Sequence, residues 1–547
     1  MIAEVPAARP EQLDLAGCRV LRIFDGLAPT AAILAAIARG DASGVTLFRH
    51  RNVGTPEQVR AACEALQAAR PSGDPPLVIG IDQEGGQLQA LGGRATAWPG
   101  NLALGAIAAA DPTLAEELAE AAGIAIGQEA AAAGATLVFA PVCDVLEMAS
   151  ATPLGTRSFG SDPAMVGRLA AAMVRGLQAG GVAAVLKHFP GHGSAVGDSH
   201  VGLPVVTDDA ATIRARDLAP FRDGIAAGAL AVLPGHLAAP ALTHGVPVAA
   251  TTSPELLVDV LRGELGFEGA TISDALDMGG AGTAGRLESQ AVAACAAGMD
   301  LLLLVHPSEL EDSVVRALDA AMSDGTIGAE AADLGRRRVW ALRTSVGSLP
   351  QPALAVVGSE AHRELARRIA EASLTLVRDP SGLLPLDTSG PGGQPRRVAW
   401  IAPVPVDLTP AETSSYLRLE LGDAFRRRGM DITEVVAPLA PTAAQVAALV
   451  EAAREADVVL VATFDAVSNA GQAELVGALA ARHPTIAIAL RSPYDVALLP
   501  SGATVACTYG IQAPQVEALA AALVGEIPFR GRLPIDLPPS SAEAAGR

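Results

Sequence analysis

Eight short apolar runs recur through roughly the first 340 residues, and longer stretches of helical periodicity separate them. The runs are 18–24, 44–48, 77–81, 137–142, 182–186, 231–233, 270–272 and 301–305; the helical stretches include 56–69, 112–133, 163–179, 210–227, 254–265 and 288–297. Pro56, Pro112, Pro163 and Pro254 stand near helix starts, where a missing N–H costs nothing. Strands alternating with helices make a parallel sheet, and eight such units predict a (β/α)8 TIM-type barrel over residues 1–344. Gly347, Pro350 and Pro352 mark residues 345–353 as a linker. A second α/β pattern fills 354–547, with strands expected at 397–402, 458–462, 486–490 and 505–508. It predicts a smaller α/β sandwich domain with a mostly parallel sheet. It carries no Gly-x-Gly-x-x-Gly, so a nucleotide role has little support.

Composition narrows the function. Half of the 547 residues are hydrophobic and 18% are charged, which suits large packed cores rather than disorder. The net charge of -20 argues against nucleic acid as a partner, because phosphate binding needs a basic surface. Five scattered cysteines outline neither a disulfide framework nor a zinc site. No apolar run reaches the length of a membrane span, and residues 1–14 have no apolar signal core. The expectation is a cytoplasmic protein.

Polar groups gather where the predicted barrel strands end. Asp82 and Glu84 follow the third, Asp144 the fourth, Lys187 and His188 the fifth, His236 the sixth, Asp274 the seventh and His306 the eighth. Barrels of this type build their active sites on that face. The densest stretch is 187–200, Lys-His-Phe-Pro-Gly-His-Gly-Ser-Ala-Val-Gly-Asp-Ser-His, which holds three of the nine histidines. Asp274 suits a fixed carboxylate nucleophile or a helix cap, and Asp277 fits the cap better. Asp198 lies two residues from His200. A carboxylate so placed can hold one imidazole nitrogen and leave the other to exchange protons; an Asx-turn beside an exposed histidine fits equally. His188, His192, Asp198 and His200 are metal-ligand types, but Pro190 and Gly191 break the helix that a His188–His192 pair would need. Lys187, His188, Asp82 and Arg157 read as hydrogen-bonding groups around a polyhydroxyl ring, with a loop salt bridge as the other reading of Arg157.

Lys187-His-Phe-Pro-Gly-His-Gly193 followed by Asp198-Ser-His200 resembles the signature of glycoside hydrolase family 3, in its β-N-acetylglucosaminidase branch. Gly44-Val-Thr-Leu-Phe48, Ile81-Asp-Gln-Glu-Gly-Gly86, Arg157-Ser-Phe-Gly160 and Ile272-Ser-Asp-Ala-Leu-Asp-Met278 resemble further family segments, in the family's order. Ser373-Leu-Thr-Leu-Val377, Gly382-Leu-Leu-Pro385 and Gly531-Arg-Leu-Pro-Ile-Asp-Leu537 are similar to segments of its second domain. The resemblance implies a retaining exo-β-N-acetylglucosaminidase with Asp274 as nucleophile and His200, paired with Asp198, as acid/base. It implies Asp82, Arg157, Lys187 and His188 as sugar-binding residues, and neither a metal nor an organic cofactor. The expected partner is a small oligosaccharide or muropeptide, with no nucleic acid or membrane, on a monomer or homodimer.

Two positions depart from the family pattern. Gln87 and Ala90 replace the arginine that follows Glu-Gly-Gly and a second arginine three residues on. Both bear on which sugar or leaving group is preferred. A phosphorylase or transglycosylase, a β-glycosidase of shifted sugar preference, and a carbohydrate-binding protein on a decayed barrel are the competing readings.

Overall fold

A computed structural model describes residues 16–147, 154–195, 202–277, 287–305, 309–390 and 393–537. Each of the eight expected runs holds a barrel strand: β1 (Val20–Arg22), β2 (Gly44–Leu47), β3 (Val78–Ile81), β6 (Leu137–Val138), β7 (Ala183–Phe189), β8 (Ala231–Pro234), β9 (Ala270–Thr271) and β10 (Leu302–Leu303). A small antiparallel hairpin, β4 (Gln83–Gly85) and β5 (Leu88–Gln89), follows β3. The eight strands are parallel, in the order β10-β1-β2-β3-β6-β7-β8-β9. The Ser273 N–H donates to Leu301 O (2.9 Å) and the Leu301 N–H to Thr271 O (2.9 Å), which closes the ring between β9 and β10.

Apolar side chains fill the barrel: Leu21, Val78, Leu137, Phe139, Val185, Leu233, Ile272 and Leu303 form one buried cluster. Gly80 makes room for Phe139, since a Cβ there would lie 2.7 Å from the ring. Strand β7 runs through Lys187 and His188 to Phe189, further than its apolar run indicated. Charged partners described below let those two polar residues stay inside the strand. Helices begin as their sequences indicate. Thr55, Asp111 and Asp162 cap Pro56–Ala68, Pro112–Ala132 and Pro163–Gly180, each with proline in its first turn.

The helix Ala329–Gly347 leads to a turn at Leu354–Val356 and the helix Glu360–Ser373. Six strands follow: β11 (Thr375–Arg378), β12 (Arg397–Pro403), β13 (Asp431–Ala437), β14 (Val458–Thr463), β15 (Thr485–Ala489) and β16 (Thr504–Cys507). Their order is β11-β16-β15-β14-β12-β13, and only β11 runs antiparallel. The sequence marked the four inner strands and missed both edges. In β13 the exposed Asp431, Thr433 and Glu434 dilute the apolar signal.

Buried polar contacts join this domain to the barrel. The Glu129 carboxylate, fully buried on a barrel helix, accepts from Thr96 N (3.0 Å), Gly358 N (3.0 Å) and His362 Nδ1 (2.8 Å). The β4–β5 hairpin is gripped as well. Thr413 N donates to Gln87 O (2.9 Å), Gln89 N to Thr413 Oγ1 (3.1 Å) and Gln512 Nε2 to Gly86 O (2.5 Å). Among the described residues no helix is long and apolar enough to cross a membrane.

Candidate active site

A cavity of about 430 Å³ opens at the C-terminal ends of the barrel strands, a size suited to a small organic ligand. Asp82, Arg157, Lys187, His188 and Asp274 all line it, as does His192. Asp198, His200 and His306 lie outside the described residues.

The floor is built around Glu84. Its fully buried carboxylate takes Arg157 in a two-point fork, Nε to Oε2 and Nη2 to Oε1, both 2.9 Å. Lys187 Nζ reaches Glu84 Oε1 at 2.5 Å and Asp82 Oδ1 at 2.8 Å. Burial opposes ionisation of Glu84, but Arg157 and then Lys187 outweigh it and hold the carboxyl at about 2. Burial alone would lower the Lys187 pKa; Asp82 and Glu84 overcome that and raise it above its ordinary value. Two cations and two carboxylates thus hold one another in place, with Asp82, Arg157 and Lys187 on the cavity wall and Glu84 behind them. The short turn Gly155–Arg157 brings Arg157 to this cluster, and Asn101 Nδ2 fixes its carbonyl at 2.7 Å.

Asp144 orients the neighbouring histidine. His188 Nδ1 lies 2.7 Å from Asp144 Oδ2, and Arg157 Nη2 lies 3.2 Å from His188 Nε2. A carboxylate only accepts and a guanidinium only donates, so Nδ1 carries the proton and Nε2 receives the bond from Arg157. Asp144 also accepts the His192 N–H at 2.7 Å. Burial works against its charge, yet His188 and His192 hold its carboxyl at about 2. The rings of His188 and His192 stand edge to face, 6.1 Å apart. Among the described residues no three histidine, cysteine or acidic side chains converge as metal ligands.

Asp274 follows the barrel-closing bridge at Ile272, and its Oδ1 accepts the Ala275 N–H at 2.8 Å. His236 supports it from behind. Fully buried, it donates from Nε2 to Ala275 O (2.8 Å), with Nδ1 3.0 Å from Thr251 Oγ1. His236 therefore fixes the backbone beside Asp274 and does not line the cavity.

The second domain supplies the opposite wall, with Asp407, Pro410, Ala411, Glu412, Thr413, Ser415 and Tyr416. Glu412 is buried and bonded to Arg491 Nη2 (2.8 Å), Gln87 Nε2 (3.1 Å) and Ser414 Oγ (3.0 Å). This accounts for Gln87 physically: Arg491 already neutralises Glu412, so an uncharged amide suffices. The Gln87 Oε1 meanwhile accepts from Thr156 N (3.0 Å) and Thr156 Oγ1 (2.8 Å), bracing the turn that bears Arg157. Ala90 lies on the cavity wall.

The two low carboxylates predict an acid limit. A carboxyl ionising near 2 in the fold, against 4.5 for Glu84 and 3.8 for Asp144 unperturbed, stabilises fully above those values and loses its effect as pH falls toward 2. Thermal melts are expected to show the midpoint falling as pH drops from about 5 to about 2. A midpoint that rises through that window would show that neither carboxylate is held ionised.

A parallel barrel that gathers a carboxylate and a floor of paired cations and carboxylates at its C-terminal mouth has its polar cluster where barrel enzymes carry their active sites. Residues 11–342 match the model of the glycosyl hydrolase family 3 N-terminal domain, and the chain belongs to that family, in its β-hexosaminidase branch with two domains. A β-hexosaminidase of Stenotrophomonas maltophilia (strain R551-3) is 40% identical over 276 residues, half of this chain and 79% of that protein. One of Pseudomonas aeruginosa (strain LESB58) is 40% identical over 279 residues, 51% of this chain and 79% of that protein. The solved structure of a family 3 β-N-acetylglucosaminidase from Paenibacillus sp. str. FPU-7 is 33% identical with a TM-score of 0.86, covering 97% of this chain and 99% of that one.

Sequence reasoning placed Glu84 and Asp144 at strand ends without giving them roles. It also left the second-domain wall unassigned. Glu84 stands in the Ile81–Gly86 segment, which was a usable signal; nothing in the sequence marked Glu412 or Tyr416.

Proposed function

We propose that this chain is a retaining exo-β-N-acetylglucosaminidase that removes terminal β-linked N-acetylglucosamine from cell-wall muropeptides or chitin-type oligosaccharides. The carrying observation is that Asp274 shares one cavity with Asp82, Arg157, Lys187 and His188. In this reading the four polar residues hold the hydroxyls of the terminal sugar, with Glu84 and Asp144 fixing their orientation. The Asp274 carboxylate attacks the anomeric carbon while His200, assisted by Asp198, protonates the leaving oxygen. The C–O bond to the leaving group breaks as a sugar–aspartate ester forms. His200 then takes a proton from water, which displaces Asp274 and yields the sugar with its anomeric configuration retained. The cytoplasm suits such an enzyme, since all five cysteines are buried and unpaired.

The test is release of nitrophenol from the β-N-acetylglucosaminide beside the β-glucoside, with the product anomer followed by NMR. Preferential turnover of the former with the β-anomer appearing first is expected. Preference for the glucoside would move the sugar assignment, and α-anomer first would refute retention.

A further inference from the structure

Arg49 follows β2 at the mouth of the cavity, and its surroundings are unusual for a cation. Its Nη1 lies 3.0–3.4 Å from the carbonyls of Gln89, Ala90 and Leu91, and its guanidinium lies over the Tyr416 ring, with Cζ 4.5 Å from the centroid. Among the described residues no carboxylate pairs with it and no acceptor meets its Nε or Nη2, although the chain carries 59 acidic against 39 basic residues. Half-buried, it borders the cavity together with Asp274 and Ala90. The Nε–Nη2 edge of a guanidinium is a planar fork that receives two oxygens of one oxyanion.

Lys187 and Arg157 are buried at the floor, whereas Tyr416 is 50% exposed. With the terminal sugar at the floor, the mouth must receive whatever leaves or arrives. We infer that Arg49, held flat by Tyr416 of the second domain, is an oxyanion subsite on the leaving-group side of the cavity. This rests on the assignment of Asp274 and the floor made above. The oxyanion has two sources. One is a carboxylate on the leaving sugar. The other is inorganic phosphate acting as acceptor: its oxygen bonds to the anomeric carbon as the sugar–Asp274 ester bond breaks, giving a sugar 1-phosphate and the free carboxylate. Arg49 also lies against the carbonyl of Ala90, where the family pattern places an arginine, so a guanidinium from the loop after β2 serves the wall that residue 90 leaves neutral.

The experiment compares kcat/KM for N-acetylglucosaminyl-N-acetylmuramic acid, whose leaving sugar carries a carboxylate, with that for neutral N,N′-diacetylchitobiose. Wild type, Arg49→Gln and Arg49→Lys are measured with and without inorganic phosphate. For the carboxylate source, the anionic-to-neutral ratio falls about tenfold or more in Arg49→Gln, about 1.4 kcal/mol. It falls less in Arg49→Lys, which keeps the charge and loses the fork. For the phosphate source, phosphate accelerates wild-type turnover with sugar 1-phosphate as product, and Arg49→Gln loses that acceleration. An unchanged ratio together with phosphate-independent turnover would overturn the inference and leave Arg49 as a brace for the hairpin. Arg49→Lys and the wild-type phosphate response decide the matter if Arg49→Gln fails to fold. Failure of the functional reading looks different: wild type then releases N-acetylglucosamine from neither disaccharide.

Discussion

Asp274→Ala is expected to lower kcat/KM on the nitrophenyl β-N-acetylglucosaminide by about 10⁴-fold or more, the scale seen when a nucleophile is removed from a covalent mechanism. The fold should survive. Asp274 sits after the closing bridge of the barrel, and its Oδ1 accepts the N–H of its chain neighbour Ala275. Binding of the product sugar should change far less than turnover, because the floor contacts come from other residues. Titration of N-acetylglucosamine into wild type and variant separates the two effects. Comparable turnover by Asp274→Ala would remove the nucleophile assignment, and lost product binding with lost structure would reduce Asp274 to a structural role.

Glu84→Gln is expected to have the largest effect on stability. The amide keeps the shape but not the charge, leaving Arg157 and Lys187 buried with Asp82 as the remaining carboxylate against Lys187. Removing one partner from a buried ion pair costs about 3–5 kcal/mol. Denaturant unfolding should register that loss, and the variant should also bind sugar poorly, since the cations it releases line the cavity. Stability within about 0.5 kcal/mol of wild type, the range of an ordinary surface substitution, would show that Glu84 does not organise the floor.

The barrel was legible because parallel strands covered by helices are buried on both faces. An unbroken apolar run such as that of β7 therefore stands out in sequence. The edge strand β13 was not, because one side of it faces solvent and its charged residues interrupt the pattern. The floor residues were legible one at a time, as polar groups just after strand ends. Their pairings were not: Lys187 and Asp82 are 105 positions apart, and Arg157 and Glu84 are 73 apart. The wall from the second domain was further out of reach. Gln87 meets Glu412 across 325 positions, and only the docking of the hairpin against the second domain brings them together. The same docking explains why Gln87, a departure from the family pattern, fits its site: the positive charge comes instead from Arg491.

The most direct measurement is mass spectrometry of the enzyme after reaction with a fluorinated N-acetylglucosaminyl substrate whose ester intermediate hydrolyses slowly. The account predicts one added sugar on the proteolytic peptide that contains Asp274, and none in Asp274→Ala. A sugar attached to another residue, or continued turnover with no covalent adduct, would contradict it.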